Sequence, residues 1–144
     1  MVRRLALLLA CLLTPFAAQG ERLSGPVPAQ ILRVVDGDTL ELRVRIWLDQ
    51  ELIVKARLAD VDAPELFRPD CPAERALAER ARDFVLAEAG RDVTLTSVEH
   101  DKYAGRVVAH VADDKGRDLS ALLLSAGLAA PYGDRTGWCA DGEG

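Results

Sequence analysis

Two consecutive segments of alternating polarity, Thr39 to Leu48 and Glu51 to Ala59, constrain this chain more than any other feature. In the first, Leu40, Leu42, Val44 and Ile46 share one face while Glu41, Arg43 and Arg45 share the other. In the second, Leu52, Val54, Ala56 and Leu58 form the apolar face. A period of two places each set on one side of a pleated strand, so both segments read as half-buried strands. Asp49-Gln50 makes a tight connection between them, and the short β-branched segment Gln30 to Val35 precedes them. The first three elements are therefore a meander of strands.

The period then changes. Pro72 to Ala89 is rich in Ala, Leu, Glu and Arg, with Leu77, Ala81, Phe84, Val85 and Glu88 at helical spacing. Proline opens the segment, where its missing N–H costs nothing, and Gly90 follows where a C-terminal cap belongs. Asp92 to Glu99 and Arg106 to Ala112 return to strand character. Asp113 to Gly116 is a turn, and Asp118 suits the N-cap of a short helix, Leu119 to Ala126, closed by Gly127. Three strands, a helix and two further strands are compatible with a small barrel of the oligonucleotide- and oligosaccharide-binding (OB) kind. The 144 residues suffice for one hydrophobic core.

The first twenty residues stand apart from that core. Arg3 and Arg4 are followed by an apolar run to about Ala18, then by Ala18-Gln19-Gly20, the layout of a secretory signal peptide. The run is short for a membrane span and is interrupted by Pro15. An uncleaved anchor, or lipidation at Cys11, is an alternative reading of the same stretch. Removal of the signal leaves 16 basic against 23 acidic residues, a net charge of −7. Such a chain is no obvious partner for a polyanion unless a bound cation or local positive charge offsets the repulsion. It also leaves two cysteines, Cys71 and Cys139. In an exported chain they read as a disulfide, with two free thiols or an intermolecular bridge as the alternatives.

Three motifs concentrate charge: VDGDTLEL at 35–42, RLADVDAPE at 57–65, and DKYAGR at 101–106 followed by VVA. Asp38 follows a glycine turn and Asp62 lies in the loop after the third strand, so both can offer hard oxygen ligands at one edge of a barrel. Carboxylates, carbonyls and water suit Ca²⁺, and no His/Cys cluster suggests zinc. Glu65, stiffened by Pro64, is placed to take a proton from a water beside that cation. Arg57 and Arg106 supply planar donor forks for the non-bridging oxygens of a phosphodiester.

With these motifs in this order, the chain resembles the thermonuclease (staphylococcal nuclease-like) family over about residues 31–132. The resemblance implies an α+β fold: a five-stranded OB-fold barrel with a helix between strands 3 and 4 and a short C-terminal helix. It implies Asp38, Asp62 and the backbone carbonyl of Ala63 as Ca²⁺ ligands, with Asp36 and Thr39 behind them. Glu65 matches the general base, and Arg57 and Arg106 the phosphate grip. Lys102 and Tyr103 match substrate contacts, as does Tyr132 more loosely. Ala104 is one residue more than the family carries between tyrosine and glycine. The tail lacks the family's last long helix, and a Cys71–Cys139 bridge could fasten it instead.

The expected organisation is a signal at 1–20, a polar leader at 21–29, the nuclease-like domain at 30–132 and a tail at 133–144. The expected activity is a secreted or periplasmic, Ca²⁺-dependent endonuclease acting on single-stranded DNA or RNA. It would be a monomer with no stable membrane association once the signal is removed. A non-catalytic barrel binding nucleic acid or an anionic polysaccharide, and a structural module of the envelope, remain as competing readings.

Overall fold

The fold is taken from a computed structural model of the chain, and the structure describes residues 20–135 and 137–139. The stretch read as a signal peptide, residues 1–20, lies outside the described residues apart from Gly20. In chain order the elements are β1 (Arg22–Leu23), β2 (Val27–Val34), β3 (Thr39–Trp47), β4 (Gln50–Leu58), β5 (Val61–Asp62), α1 (Pro72–Glu88), β6 (Asp92–His100), β7 (Arg106–Ala112), α2 (Leu119–Ser125) and β8 (Ala130–Pro131).

Strands β6, β2, β3, β4 and β7 follow one another in the sheet, and β6 also pairs with β7. That last pairing closes five strands into a barrel and leaves no free edge among them. All neighbours are antiparallel except β4 and β7, which run parallel. With α1 between the third and fourth barrel strands and α2 after the fifth, this is the expected α+β OB-fold.

The alternation fills the interior as the strand period requires. Leu40, Leu42, Ala56, Leu58, Leu95, Ala109 and Val111 are all at or below 1 % exposure. Each buried leucine contributes about 1.5–3 kcal/mol. Register Leu40↔Ala56 and Leu42↔Val54 faces a large side chain with a smaller one across the hairpin. Ala81, Val85 and Ala89 of α1 enter the same cluster, as do Leu119 and Leu123 of α2. Asp118 caps α2 by accepting the Ala121 N–H at 2.9 Å.

The structure corrects four expectations. Ile46 and Leu52 were expected inside but are each 49 % exposed. The hairpin of β3 and β4 outruns the barrel, so its alternation continues past the core that would bury it. The connecting turn is Leu48-Asp49 rather than Asp49-Gln50, with Trp47 paired to Gln50 and Asp49 at φ 59. The first barrel strand begins at Val27, three residues before Gln30. Arg22 and Leu23, in the stretch read as leader, pair with Glu99 and Val98 of β6. Two prolines disguised this run as a loop, and Pro28 sits within β2 itself.

Candidate active site

The first wall of the site is built by the turn into β3. Val35 N–H donates to the Thr39 carbonyl at 2.9 Å, and Asp38 N–H to Asp36 Oδ1 at 3.2 Å. Gly37 is required here by space: a Cβ would sit 2.8 Å from the methyls of both Ala63 and Ala81. The turn can therefore lie flat against α1 and the RLADVDAPE loop. Asp38 is buried, accepts the Thr39 hydroxyl at 3.0 Å through Oδ1, and takes the Ala63 N–H at 2.9 Å through Oδ2.

Arg57 pairs with Thr39 across the hairpin, which aims its guanidinium at the same turn. One terminal nitrogen donates to the carbonyls of Val61 at 2.8 Å and Leu58 at 3.3 Å. The other bridges Asp38 Oδ2, at 3.2 Å, and Asp62 Oδ1. Asp62 is held from its other oxygen by Gly133 N–H at 2.8 Å, and β5 and β8 pair beside it. Two carboxylates thus converge on one positive group.

Glu65 comes next. Its backbone N–H donates to Glu74 Oε1 at 2.9 Å, and its own Oε1 accepts the Phe67 N–H at 3.1 Å. Glu74, only 1 % exposed, also takes the Asp70 N–H at 2.6 Å. One buried carboxylate therefore ties down both ends of the loop that carries Glu65. Glu74 N–H is in turn received by Cys71 Sγ at 3.3 Å, the N-cap of α1, and Cys71 is bridged to Cys139. The disulfide is thus present and joins the helix start to the tail.

The opposite wall comes from the β6–β7 turn. Arg106 is the first residue of β7, aligned with Lys55 of β4, and its guanidinium pairs with the nearly buried Asp101. Burial would raise the Asp101 carboxyl. The Arg106 hydrogen bond and charge, with the N–H groups of Lys102 and Tyr103, win and hold it below the ordinary carboxylate range. The extra Ala104 is absorbed inside the turn, where Gly105 takes φ 77 and Arg106 N–H closes on the Tyr103 carbonyl at 3.3 Å. Arg106 keeps its place for that reason. Tyr103 stacks under Arg106 at 4.8 Å and lies 5.2 Å from the Lys102 ammonium, while Tyr132 stacks under Arg57 at 5.2 Å.

These walls enclose one cavity of about 880 Å³. Asp36, Asp38, Thr39, Arg57, Asp62 and Ala63 line one side, with Glu65 beside them; Lys102, Tyr103 and Arg106 line another, and Tyr132 a third. Of Ala63 the structure gives a role to the N–H, bonded to Asp38, rather than to the carbonyl. Among the lining residues that escaped the sequence reading are several charged or titratable side chains. Arg22 arrives through β1 and pairs with Glu99, Asp60 and His110 face each other at 3.6 Å, and Arg135 comes from the tail.

Asp36 is the electrostatic outlier. Burial foremost, then the negative charge of Asp38 and a hydrogen bond to it, push its carboxyl up to about 7. Around Asp36, Asp38 and Asp62 carboxylates outnumber cations, and the donor atoms are hard oxygens, which is the chemistry a Ca²⁺ ion fits. Asp38 and Asp62 supply two carboxylates. Among the described residues no group of three or more His, Cys, Asp or Glu side chains is arranged as a metal cage, so carbonyl and water oxygens would complete the shell.

Residues 55–138 match the family model described as staphylococcal nuclease homologue, more than half of the chain. The second and third charged motifs fall within the match, and VDGDTLEL precedes it. No curated protein matches the chain.

Proposed function

The chain belongs to the staphylococcal nuclease homologue family, a nuclease-like OB-fold module, and from that premise we propose that it is an exported, Ca²⁺-dependent nuclease hydrolysing phosphodiester bonds of single-stranded DNA or RNA. The observation that carries the reading is the convergence of Arg57, Arg106, Glu65 and the Asp38–Asp62 pair on one open cavity. Export is supported by the basic-then-apolar start of the sequence and by the disulfide, which persists in oxidising compartments. The protein acts as a monomer, without a membrane partner once the signal is removed.

In this mechanism Glu65 accepts the proton of the water whose oxygen bonds to phosphorus as the ester P–O bond breaks. Its carboxylate is oriented for this by the Phe67 N–H, and its loop by Glu74. Arg57 and Arg106, each backed by a tyrosine ring and a carboxylate, hydrogen-bond the non-bridging oxygens as negative charge accumulates there. Asp38 and Asp62, with the Ala63 carbonyl, would hold the Ca²⁺, which when bound supplies Lewis-acid polarisation of the same oxygens. Asp36 and Thr39 support Asp38 from behind. Lys102, Tyr103 and Tyr132 receive the flanking nucleotides.

The test uses protein starting at Glu21, purified oxidised, on labelled single-stranded DNA with Ca²⁺ or with chelator. Cleavage should require Ca²⁺ and should fall about 10²–10⁴-fold in Glu65→Gln. Undiminished cleavage by Glu65→Gln would remove it as the base. If the folded wild type binds DNA in Ca²⁺ without cutting it, the chain is a binding barrel instead.

A further inference from the structure

The cations that line the cavity differ in how far they are already spent. Arg22 is paired with Glu99, Arg106 with Asp101, and Arg57 with two carboxylates at once. Arg135, like Lys102 over the Tyr103 ring, is the contrast. Among the described residues the ion pair of Arg135 is a 3.9 Å approach to Glu74 Oε1, an oxygen that already receives the Glu65 N–H. The other Glu74 oxygen is taken by Asp70. The Arg135 side chain is 57 % exposed and rests 5.6 Å from the Trp138 ring. A guanidinium carries five donors, and Arg135 lines the cavity with few of them taken among the described residues.

Its position is fixed from both sides. Upstream, Tyr132 N–H donates to the Asp60 carbonyl at 2.9 Å and Gly133 N–H to Asp62 Oδ2 at 2.8 Å. Downstream, Cys139 is bonded to Cys71 at the start of α1. Arg135 thus stands two residues from a backbone amide bonded to Asp62, and across Glu74 from the loop of Glu65.

We infer that Arg135 is a phosphate subsite, holding a non-scissile phosphate of a polynucleotide next to the one gripped by Arg57 and Arg106, and that the Cys71–Cys139 bridge keeps it there. The inference rests on the nuclease reading and adds a substrate preference: a chain of several nucleotides binds better than a single phosphodiester unit.

The experiment measures anisotropy of a labelled oligodeoxynucleotide in Ca²⁺ across a salt series, all in the Glu65→Gln background so that binding is read without cleavage. One phosphate contact on a single strand contributes about 0.7 to the slope of log K against log salt. Arg135→Ala should reduce the slope by about that amount and weaken binding about tenfold at low salt. Arg135→Lys should restore the slope, and Cys139→Ser, which leaves the Cys71 cap in place, should reproduce the Arg135→Ala loss. Arg75→Ala, an exposed cation on α1, should leave the slope as it was. An unchanged slope in Arg135→Ala, or an equal loss in Arg75→Ala, overturns the subsite while the nuclease reading stands. Failure of the parent protein to bind any single strand in Ca²⁺ overturns both.

Discussion

Asp36 and Asp113 are both aspartates beside tight turns, yet the protein treats them in opposite ways. The Asp113 side chain is fully enclosed, and its two oxygens receive the Lys115 N–H at 2.9 Å, the Arg117 N–H at 2.8 Å and the Arg117 Nε–H at 2.7 Å. Arg117 goes on to Glu88 at 3.1 Å, joining the turn to α1. Burial would raise the Asp113 carboxyl, but those hydrogen bonds outweigh it and hold it below its ordinary range, while the guanidinium is held above its own. Asp36 accepts one backbone N–H and faces Asp38, and it is pushed up to about 7. At the turn one guanidinium and two backbone N–H groups satisfy Asp113; in the cavity Asp38 and Asp62 share the Arg57 guanidinium while Asp36 faces a second carboxylate. The first arrangement serves the fold. The second leaves room for a cation to be supplied from outside.

The comparison can be broken in several ways, beginning with the largest effect. Arg106→Ala should lower turnover about 10²–10³-fold through the loss of transition-state donors. Arg117→Ala should lower the melting temperature and leave turnover per folded molecule unchanged. Steady-state kinetics beside thermal melts would separate the two, and a kinetic defect in Arg117→Ala would erase the division. Gly37→Ala comes next, since its new methyl must displace Ala63 and Ala81 together. Overpacking of this kind costs about 1–3 kcal/mol, and here activity should fall with stability. A variant with wild-type denaturation and rate would show that the turn has slack.

The smallest effect, and the one that isolates the two aspartates, is pH dependence in chelator. A carboxyl raised from its ordinary value of about 3.9 keeps a proton that the unfolded chain gives up. Through Asp36, stability should therefore decline as pH rises from about 4 to about 7, and Asp36→Asn should flatten that decline. Asp113 works with the opposite sign. Its contribution is present above about pH 4 and is lost as pH falls through its lowered folded value, so Asp113→Asn should be less stable at neutral pH and acid-insensitive by comparison. Melting curves from pH 3 to 8 decide both. A wild-type profile without decline between 4 and 7, or an unaltered decline in Asp36→Asn, would remove Asp36 from the account.

The sequence displayed the barrel and the heart of the site because both are local. Alternation named Leu40, Leu42, Ala56 and Leu58 as inward, and nine residues in one loop carried Arg57, Asp62 and Glu65. Ile46 and Leu52 could not be read correctly, since alternation says which face a residue takes and not how far the core extends along it. Arg22 and Arg135 were illegible for another reason. Each is a lone arginine in an unremarkable segment, brought to the cavity by β1 pairing with β6 and β8 pairing with β5. Glu74 had a local signal that went unread: it stands three residues after the N-cap, the capping-box position. The cap is a cysteine, outside the residues that usually mark one.

The hairpin tip that outran the barrel has a spectroscopic consequence. Trp47 stands there 70 % exposed, and the chain's other tryptophan, Trp138, is half-buried beside Arg135 and adjacent to the bridged Cys139. Trp47 already faces water in the folded state, so its emission gives a nearly constant background. Any change in tryptophan emission, excited beyond the tyrosine band, on reduction or on filling the cavity is then the signal of Trp138. The protein carries its own label at the place where tail and cavity meet.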